Sequence, residues 1–415
     1  MLNYVVLAIP VFFLLIGIEL LAARLLEKDC YRLNDSVNDL SCGILDQLLE
    51  VFLKAALFAG YAWVYERHRI ATIPAESAAA WAACFLGVDF LYYWFHRTSH
   101  EVNAFWAAHV VHHQSEEYNL TVALRQGALQ SSFSWVFYLP LAALGFPPLM
   151  FLATSSANTL YQFWIHTRLV GRLGPLEWLL NTPSNHRVHH GRNPKYIDRN
   201  HGGTLIVWDR LFGTYAPEED EPVYGITAPI RSWNPVWANL HYWVELWRKA
   251  RRIARPADRV RLFLARPGWH PPELGGFATA PEVDALTHRK WDTPLTRTLG
   301  GYVLVQFSIV LVAAAFFLFK QDAVGAAAGA FASGAVAVSL VILGALLEQK
   351  RWAFTVEAWR MAVAAAAAML WAASSPRFLV LACVIAGAAA LASWWLGLHK
   401  PPAEAIAAPA PVDGT

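Results

Sequence analysis

The chain has 415 residues, of which 56% are hydrophobic and only 15% are charged, and its mean hydropathy is +0.33. Soluble globular proteins carry about 25% charged residues, so this composition excludes an ordinary soluble protein. The formal net charge is only +2, and no basic run alternates with aromatic residues, which excludes a nucleic acid as partner. We therefore expect an integral membrane protein, with 19 tryptophans available for belts at the membrane–water interfaces.

The first half of the chain predicts three membrane-spanning runs and one shorter pair. The runs are 4–21, 40–64 and 78–95; the first lacks a basic flank and a cleavage site, so it predicts an uncleaved span. In the second run, Asp46, Glu50 and Lys54 share one helix face and either pair in the bundle interior or mark an interfacial start. The short pair, 130–144 and 147–163, is split by a Gly-Phe-Pro-Pro turn and either crosses or forms a tight hairpin.

Histidines follow the third run in an unusual density. The segment FHRTSHEVNAFWAAHVVHHQ at 95–114 reads HxxxH and then HxxHH, a second HxxHH lies at 186–190, and His166 stands between them. Residues three or four apart share a helix face, so each cluster presents imidazoles together. One structural zinc needs only four ligands; nine donors in four places therefore favour two metal ions. The alternative, a surface tract or a set of core histidines, suits a lone histidine better than three clusters.

These motifs, together with NTPSNHRVHHGRNPKYIDRNHGGTLIVWDRLFGTY at 181–215, resemble the fatty acid hydroxylase/sterol desaturase superfamily of integral-membrane di-iron oxygenases. The resemblance spans roughly residues 5–250 and is strongest to its alkylglycerol monooxygenase branch. It implies two iron ions and no catalytic residue beyond the metal ligands. The implied ligands are His96, His100, His109, His112, His113, His166, His186, His189 and His190. At His201 the family pattern has tyrosine, so we expect His201 to support a ligand or to pack.

Three more polar residues are predicted to support ligands. Asp89 lies seven residues before His96, on the same helix face; it either accepts an imidazole N–H or pairs with Arg97, or it belongs to a structural intramembrane ion pair. Asn185 either orients a ligand through water or, as we favour, caps a helix that starts at the second HxxHH. Asp198 is expected to stand behind a ligand histidine, with a turn aspartate as the alternative.

The rest of the chain predicts no further histidine cluster. Trp208, Asp209 and Arg210 are expected to form an interfacial anchor, and 235–252 an amphipathic helix, either on the membrane surface or packed on the catalytic domain. Four Ala-, Val- and Gly-rich runs follow at 300–319, 323–347, 353–371 and 378–396. The predicted domains are a membrane di-iron domain at 1–255, a cytoplasmic linker at 256–298, a four-helix transmembrane region at 299–397 and a disordered tail at 398–415.

The predicted fold class is all-α, a polytopic transmembrane bundle with a cytoplasmic histidine-rich helical cap. If all nine runs span the membrane, most Lys and Arg residues of the loops lie on the histidine side. The positive-inside rule then places the active site on the cytoplasmic side of an inner membrane or endomembrane.

The predicted function is O2-dependent hydroxylation of a C–H bond in a membrane lipid: a sterol, a fatty acyl chain or an alkylglycerol ether. Desaturation at the same site is the alternative. Motifs for haem attachment, ferredoxin clusters and dinucleotides are missing from the sequence, so electrons must come from an external donor; the resemblance suggests a reduced pterin or an electron-transfer protein. Two other classes fit less well. A metal transporter needs histidines within its spans, and a membrane zinc hydrolase usually carries HExxH.

Overall fold

The computed structural model describes residues 4–401 and consists of α-helices joined by loops and short 3₁₀ turns. The α-helices are α1 Tyr4–Leu25, α2 Leu33–His68, α3 Ala78–Glu101, α4 Asn103–His113, α5 Leu120–Ala123, α6 Gln130–Ser134, α7 Leu139–Leu144, α8 Pro148–Trp164, α9 Pro183–His189, α10 Val207–Phe212, α11 Pro235–Arg252, α12 Pro256–Leu264, α13 Arg297–Lys320, α14 Ala326–Leu347, α15 Arg351–Ser374 and α16 Leu379–His399. The described residues contain no strand; an isolated antiparallel bridge joins Leu180 to Leu205. The predicted all-α class is confirmed.

Within residues 4–401, six helices are long and apolar enough to cross a membrane. They are Val6–Leu25, Ala78–Glu101, Arg297–Ala323, Ala326–Leu347, Arg351–Ser374 and Leu379–His399, and they coincide with six of the nine predicted runs. A multi-pass helical membrane protein is the architecture that buries backbone hydrogen bonds in such apolar surroundings. The predicted C-terminal tail lies outside the described residues from position 402 onward.

The other three predicted runs form helices that depart from simple spans. α2 has 36 residues and is about 54 Å long, and its first half buries the polar side chains of Asp35, Asn38 and Asp39. The run at 130–144 is broken into α6, a 3₁₀ turn and α7. α8 has 17 residues, or about 25 Å, which is short of the roughly 30 Å of a hydrocarbon core.

The predicted turn between the short pair is present at Gly145. Its φ is +103°, a conformation that L residues with a side chain rarely adopt. A Cβ at this position would lie 2.0 Å from the carbonyl oxygen of Ala71, so the close approach of these two backbones also requires glycine. The turn returns α8 toward the histidine clusters, as the sequence predicted.

The C-terminal helices share a core with the N-terminal ones. Val37, Ile44 and Leu48 of α2 belong to one buried apolar cluster with Phe307 of α13 and Leu343 of α14. α15 and α16 pack mainly against each other, and much of their surface is exposed. The predicted four-helix region therefore divides into two helices that complete the bundle and two that lie at its edge.

The segment predicted as a linker is tied to the histidine region. It contains α12 and the 3₁₀ turn Pro272–Leu274. Near its end, Lys290 forms an ion pair with Glu117 at 2.6 Å, and the N–H of Trp291 donates to Glu116 at 2.7 Å. Both acceptors follow closely on the first HxxHH, so this segment holds α13 against the site.

The predicted amphipathic helix is α11. Its inner face, with Ala238 and Leu246, is buried against α4 and α12. Leu240 and Trp247 of the same helix remain exposed. One face of α11 therefore packs on the catalytic half, and the other is left available for the membrane surface that the sequence predicted.

Candidate metal centre

The nine histidines predicted as ligands come together, all buried, where α3 and α8 end. They form two groups, and within each group the ring atoms that offer a ligand lie within 4.8 Å of one another. The group of five contains His96, His100, His109, His113 and His189, and the group of four contains His112, His166, His186 and His190. Four separate segments of the chain thus supply two adjacent sets of donors.

Each adjacent pair of histidines is divided between the two groups. His113 belongs to the group of five and its neighbour His112 to the group of four. At the end of α9, His189 belongs to the group of five and His190 to the group of four. Successive side chains on a helix point about 100° apart, so two adjacent histidines direct their rings toward different groups. The HxxHH pattern is therefore suited to serving two metal positions at once.

Main-chain and amide oxygens orient five of the rings. In each case the ring Nδ1 lies 2.7–2.8 Å from an oxygen that can only accept a hydrogen bond. The pairs are His96 with the carbonyl of His201, His109 with the side-chain oxygen of Gln130, His112 with the carbonyl of Arg125, His166 with the carbonyl of Gln162 and His189 with the carbonyl of Arg199. This places the proton on Nδ1 and leaves Nε2 as an unprotonated donor, the arrangement found at metal-ligating histidines.

The unprotonated Nε2 atoms face one another without hydrogens between them. The Nε2 of His109 lies 3.1 Å from that of His96, and the Nε2 of His166 lies 3.3 Å from that of His112. The Nε2 atoms of His100, His189 and His190 have no hydrogen-bond partner among the described residues. Lone pairs held this close repel each other unless a cation lies between them. Neighbouring ligands around a metal with bonds of about 2.1 Å are roughly 3.0 Å apart, so the donor set fits metal ions.

The surroundings keep the rings neutral. Burial lowers the pKa of His109 and of His166 to about 4. Burial first, and then the neighbouring imidazoles, hold the pKa of His113 and of His190 well below the usual value. A neutral imidazole is the form that binds a metal, so these four rings are ready for binding at neutral pH.

His201 and Asp198 lie beside the group of five. The buried ring of His201 has its centroid 5.1 Å from that of His100, and its two ring nitrogens have no hydrogen-bond partner among the described residues. Its main-chain carbonyl orients His96, so His201 supports that ring through its backbone. The Oδ1 of Asp198 lies 3.7 Å from the Nδ1 of His100, which is too long for a hydrogen bond, so the carboxylate stands beside this ring without binding it.

Asp89 has partners other than those predicted. It accepts four hydrogen bonds of 2.5–3.1 Å. The donors are the amide of Asn158, the main-chain N–H groups of Thr204 and Leu205 and the indole of Trp208. Arg97 pairs with Glu101 instead. Seven residues along a helix are about 10 Å, so sharing a face with His96 did not bring the carboxylate to the ring. Asp89 fixes the loop that carries His201.

Asn185 is not the predicted cap. α9 begins two residues earlier, at Pro183, because the first helical position needs no N–H and accepts proline. Asn185 therefore lies inside the helix. Its amide donates to the carbonyl of Leu180 at 3.3 Å, and its carbonyl accepts from the amide of Asn200 at 2.9 Å. These contacts connect α9 to the loop before His201.

Two supporting residues were missed from the sequence. Arg125 is fully buried and donates to the carbonyl of Val111 at 2.6 Å and to Asp39 at 3.1 Å, while its own carbonyl orients His112. The only signal for this role in the sequence was a single arginine at the end of the apolar segment LTVALR, residues 120–125. Asp209, predicted as part of an interfacial anchor, is fully buried and accepts from the N–H of His201 at 2.7 Å. That anchor prediction was wrong for Asp209.

A cavity of about 390 Å³ opens onto the centre. His109 of the group of five and His112 and His166 of the group of four are among its lining residues. Helices α1, α2 and α8 form most of its walls, and Ala314 and Ala315 of α13 complete them. A chain-like molecule in this cavity would have access to both groups of imidazoles.

The fold and the site define a class: multi-pass helical membrane proteins with a polyhistidine metal centre and an adjoining apolar cavity. Comparison with known proteins identifies the family. The profile of the fatty acid hydroxylase family matches residues 81–214. Alkylglycerol monooxygenase of Danio rerio is 40% identical over 362 residues, covering 86% of this chain and 80% of the relative. Alkylglycerol monooxygenase of Homo sapiens is 42% identical over 312 residues, covering 74% and 70%.

The chain therefore belongs to the fatty acid hydroxylase family, as the motifs predicted, and within that family it resembles the alkylglycerol monooxygenases. Ornithine lipid hydroxylase OlsE of Rhizobium tropici is a more distant relative, 29% identical over 145 residues and covering 34% of this chain and 44% of its own. No solved structure matches the chain. The protein is a lipid-hydroxylating membrane oxygenase, and its histidine clusters fit iron.

Proposed function

We propose that this protein inserts one oxygen atom of O2 into a C–H bond of a membrane lipid, at two iron ions held by the nine histidines. The observation that carries the proposal is the cavity, which reaches imidazoles of both groups. A lipid chain lying in it would pass beside both metal positions. The identity of the two metals, the ligand set and the cytoplasmic position of the site are parts of this proposal.

Each group of histidines would bind one iron ion, and other residues would orient the rings and the lipid. His96, His100, His109, His113 and His189 would hold one iron and His112, His166, His186 and His190 the other. When bound, such an iron pair supplies the activation of O2 that cleavage of a C–H bond requires. The backbone carbonyls behind the rings keep Nε2 directed at the metal. The apolar walls of the cavity exclude water and align the lipid.

Electrons must reach the site from outside the chain. Hydroxylation of one C–H bond consumes one O2, two electrons and two protons and releases one water molecule. We propose a reduced pterin or an electron-transfer protein as the donor, approaching from the cytoplasmic side. The named relatives are alkylglycerol monooxygenases, so an alkylglycerol ether lipid is the proposed substrate, with oxygen added next to the ether oxygen.

Labelled oxygen and metal analysis test this function. We expect the purified protein in lipid nanodiscs to contain close to two iron ions per chain and to convert hexadecylglycerol in the presence of a reduced pterin. One atom of ¹⁸O from ¹⁸O2 should appear in the product. Loss of two hydrogens without the label would instead identify a desaturase. Zinc near one per chain, with no O2 uptake, would contradict an oxygenase.

The α13 wall gives a second measurable expectation. Ala315 lines the cavity and is half-buried, so Ala315→Phe should narrow it. Overpacking costs about 1–3 kcal/mol, and we expect the preference for an 18-carbon over a 12-carbon alkyl chain to fall about tenfold. Ala313→Phe, on the exposed side of the same helix, is the matched control. An unchanged chain-length preference in Ala315→Phe would place the lipid elsewhere.

A further inference from the structure

We propose that polar residues of α2 form a subsite for a neutral, hydroxyl-bearing lipid head group beside the metal centre. The residues are Asp46, Gln47, Glu50 and Lys54 of α2, called here the α2 polar stripe, together with Ser131 of α6; all of them line the cavity. The inference rests on the proposed function and adds to it which end of the lipid lies at the metals and what recognises that end.

The stripe is an organised set of donors and acceptors. The Oγ of Ser131 donates to Glu50 at 2.5 Å, and the Nζ of Lys54 lies 3.4 Å from the other carboxylate oxygen of Glu50. The amide of Gln47 donates to Asp46 at 3.0 Å. Glu50 is the hydrogen-bond partner of Lys54 among the described residues, and an ammonium has three donors. Donors therefore remain for a ligand.

The stripe adjoins the metal centre through α6. Ser131 directly follows Gln130, whose side-chain oxygen accepts from the Nδ1 of His109 at 2.7 Å. Gln126, whose side-chain oxygen accepts from the amide of Gln130 at 3.5 Å, lies beside His112 and also lines the wall. A head group held by Glu50 and Ser131 would therefore lie close to the ring of His109 rather than at the far end of the cavity.

The cavity changes from polar to apolar with distance from the histidines. Beyond His166, the lining residues of α8 are Phe163, Gln162, Thr159, Ser156 and Ser155, and then Leu152 and Phe151; Phe163 and Phe151 are about 18 Å apart along the helix. Along α2 the stripe lies between Leu40, Gly43 and Ile44 on one side and Leu57, Phe58 and Tyr61 on the other. Charged groups next to hydrocarbon cost free energy unless they are paired, so a cavity meant for hydrocarbon alone would not place them there.

This gradient orients the lipid. The polar end of the lipid fits beside the metals, and its alkyl tail fits the apolar end formed by α2, α8 and α13. The C–H bond that is oxidised would then lie near the head group rather than near the end of the tail.

The charges of the stripe select the kind of head group. Lys54 is the one cation of the stripe and already pairs with Glu50, so the subsite has no net positive charge to attract a phosphate. A hydroxyl both donates and accepts, so two neighbouring hydroxyls match the alternating acceptors and donors of Glu50, Ser131 and Lys54. A glycerol with free hydroxyls has this chemistry.

Binding without turnover tests the subsite separately from the reaction. Radiolabelled hexadecylglycerol and hexadecyl methyl ether, which lacks the hydroxyls, are titrated anaerobically into the iron-loaded protein in nanodiscs. A lost hydrogen bond to a charged group costs about 1.5–3 kcal/mol, so we expect hexadecylglycerol to bind the wild type at least about tenfold more tightly than the methyl ether. Glu50→Gln should remove most of that difference.

Matched variants and ligands complete the design. Ser131→Ala is the second variant and should also reduce the difference; Glu66→Gln, on the exposed end of α2, should not. Iron content and unfolding temperature check the fold of each variant. Equal binding of both lipids by the wild type, tighter binding of a hexadecyl phosphocholine or hexadecylamine, or an undiminished difference in both Glu50→Gln and Ser131→Ala would overturn the subsite. Selective binding without ¹⁸O incorporation would contradict only the proposed oxygenase reaction.

Discussion

His112→Ala is expected to lower lipid hydroxylation by more than about 100-fold, because even residues behind a metal ligand change activity by about 10–100-fold. His112 belongs to the group of four, which would be left with three imidazoles. The group of five keeps all its members. We therefore expect the iron content to fall from near two per chain toward one.

The measurement is iron per chain in the purified protein, with hydroxylation of hexadecylglycerol assayed in parallel. Membrane insertion should be intact, since the ring lies at the end of α4 rather than in a span. His241→Ala is the control, because His241 is half-buried on the neighbouring helix α11 and belongs to neither group. Full iron and full activity in His112→Ala would remove the ligand assignment.

Asp89→Ala is expected to destabilise the protein by at least about 3 kcal/mol, because each buried donor left without an acceptor costs about 1–3 kcal/mol. Four donors lose their acceptor at once, and three of them belong to the loop before α10 and its first turn, residues 204–208. That loop follows His201, whose carbonyl orients His96. We therefore expect a lower unfolding temperature and a smaller iron content together.

Thermal unfolding in detergent, followed by metal analysis of the folded fraction, distinguishes this role from a direct effect on the reaction. Glu76→Ala, an exposed acidic residue shortly before α3, is the control and should change neither quantity. Wild-type stability in Asp89→Ala, with activity lost, would instead indicate that the carboxylate acts on the bound lipid or on the metals.

The sequence predicted the nine clustered histidines because ligand spacing on a helix is a local property. Helix geometry predicts that His112 and His113 point apart, but not which rings from other segments join each of them, because that depends on the tertiary fold. The oxygens behind His96 and His189 were also beyond prediction, since any residue can supply a main-chain carbonyl. Asn185 and Asp209 were misplaced because their partners Asn200 and His201 lie in an irregular loop, whose course no helical spacing rule predicts.

The nine predicted apolar runs also differ in how much of their structure the sequence alone predicts. Six are long and uniform enough for composition alone to identify them. α2 carries charges that composition cannot place, and only packing shows that Asp46 and Glu50 face a cavity rather than lipid or water. The cytoplasmic orientation of the histidine end remains a prediction from the loop charges.

The contribution of α13 to the cavity has a consequence for comparing and engineering these enzymes. The matched profile ends at 214, whereas Leu311, Ala314, Ala315 and Leu318 lie about a hundred residues later and still face the same chamber. A chimera that exchanges only the last four helices between two relatives would keep every imidazole in place. It should nonetheless accept the alkyl-chain lengths that the relative supplying those four helices accepts. Selectivity for the lipid and reactivity at the metals could then be exchanged separately.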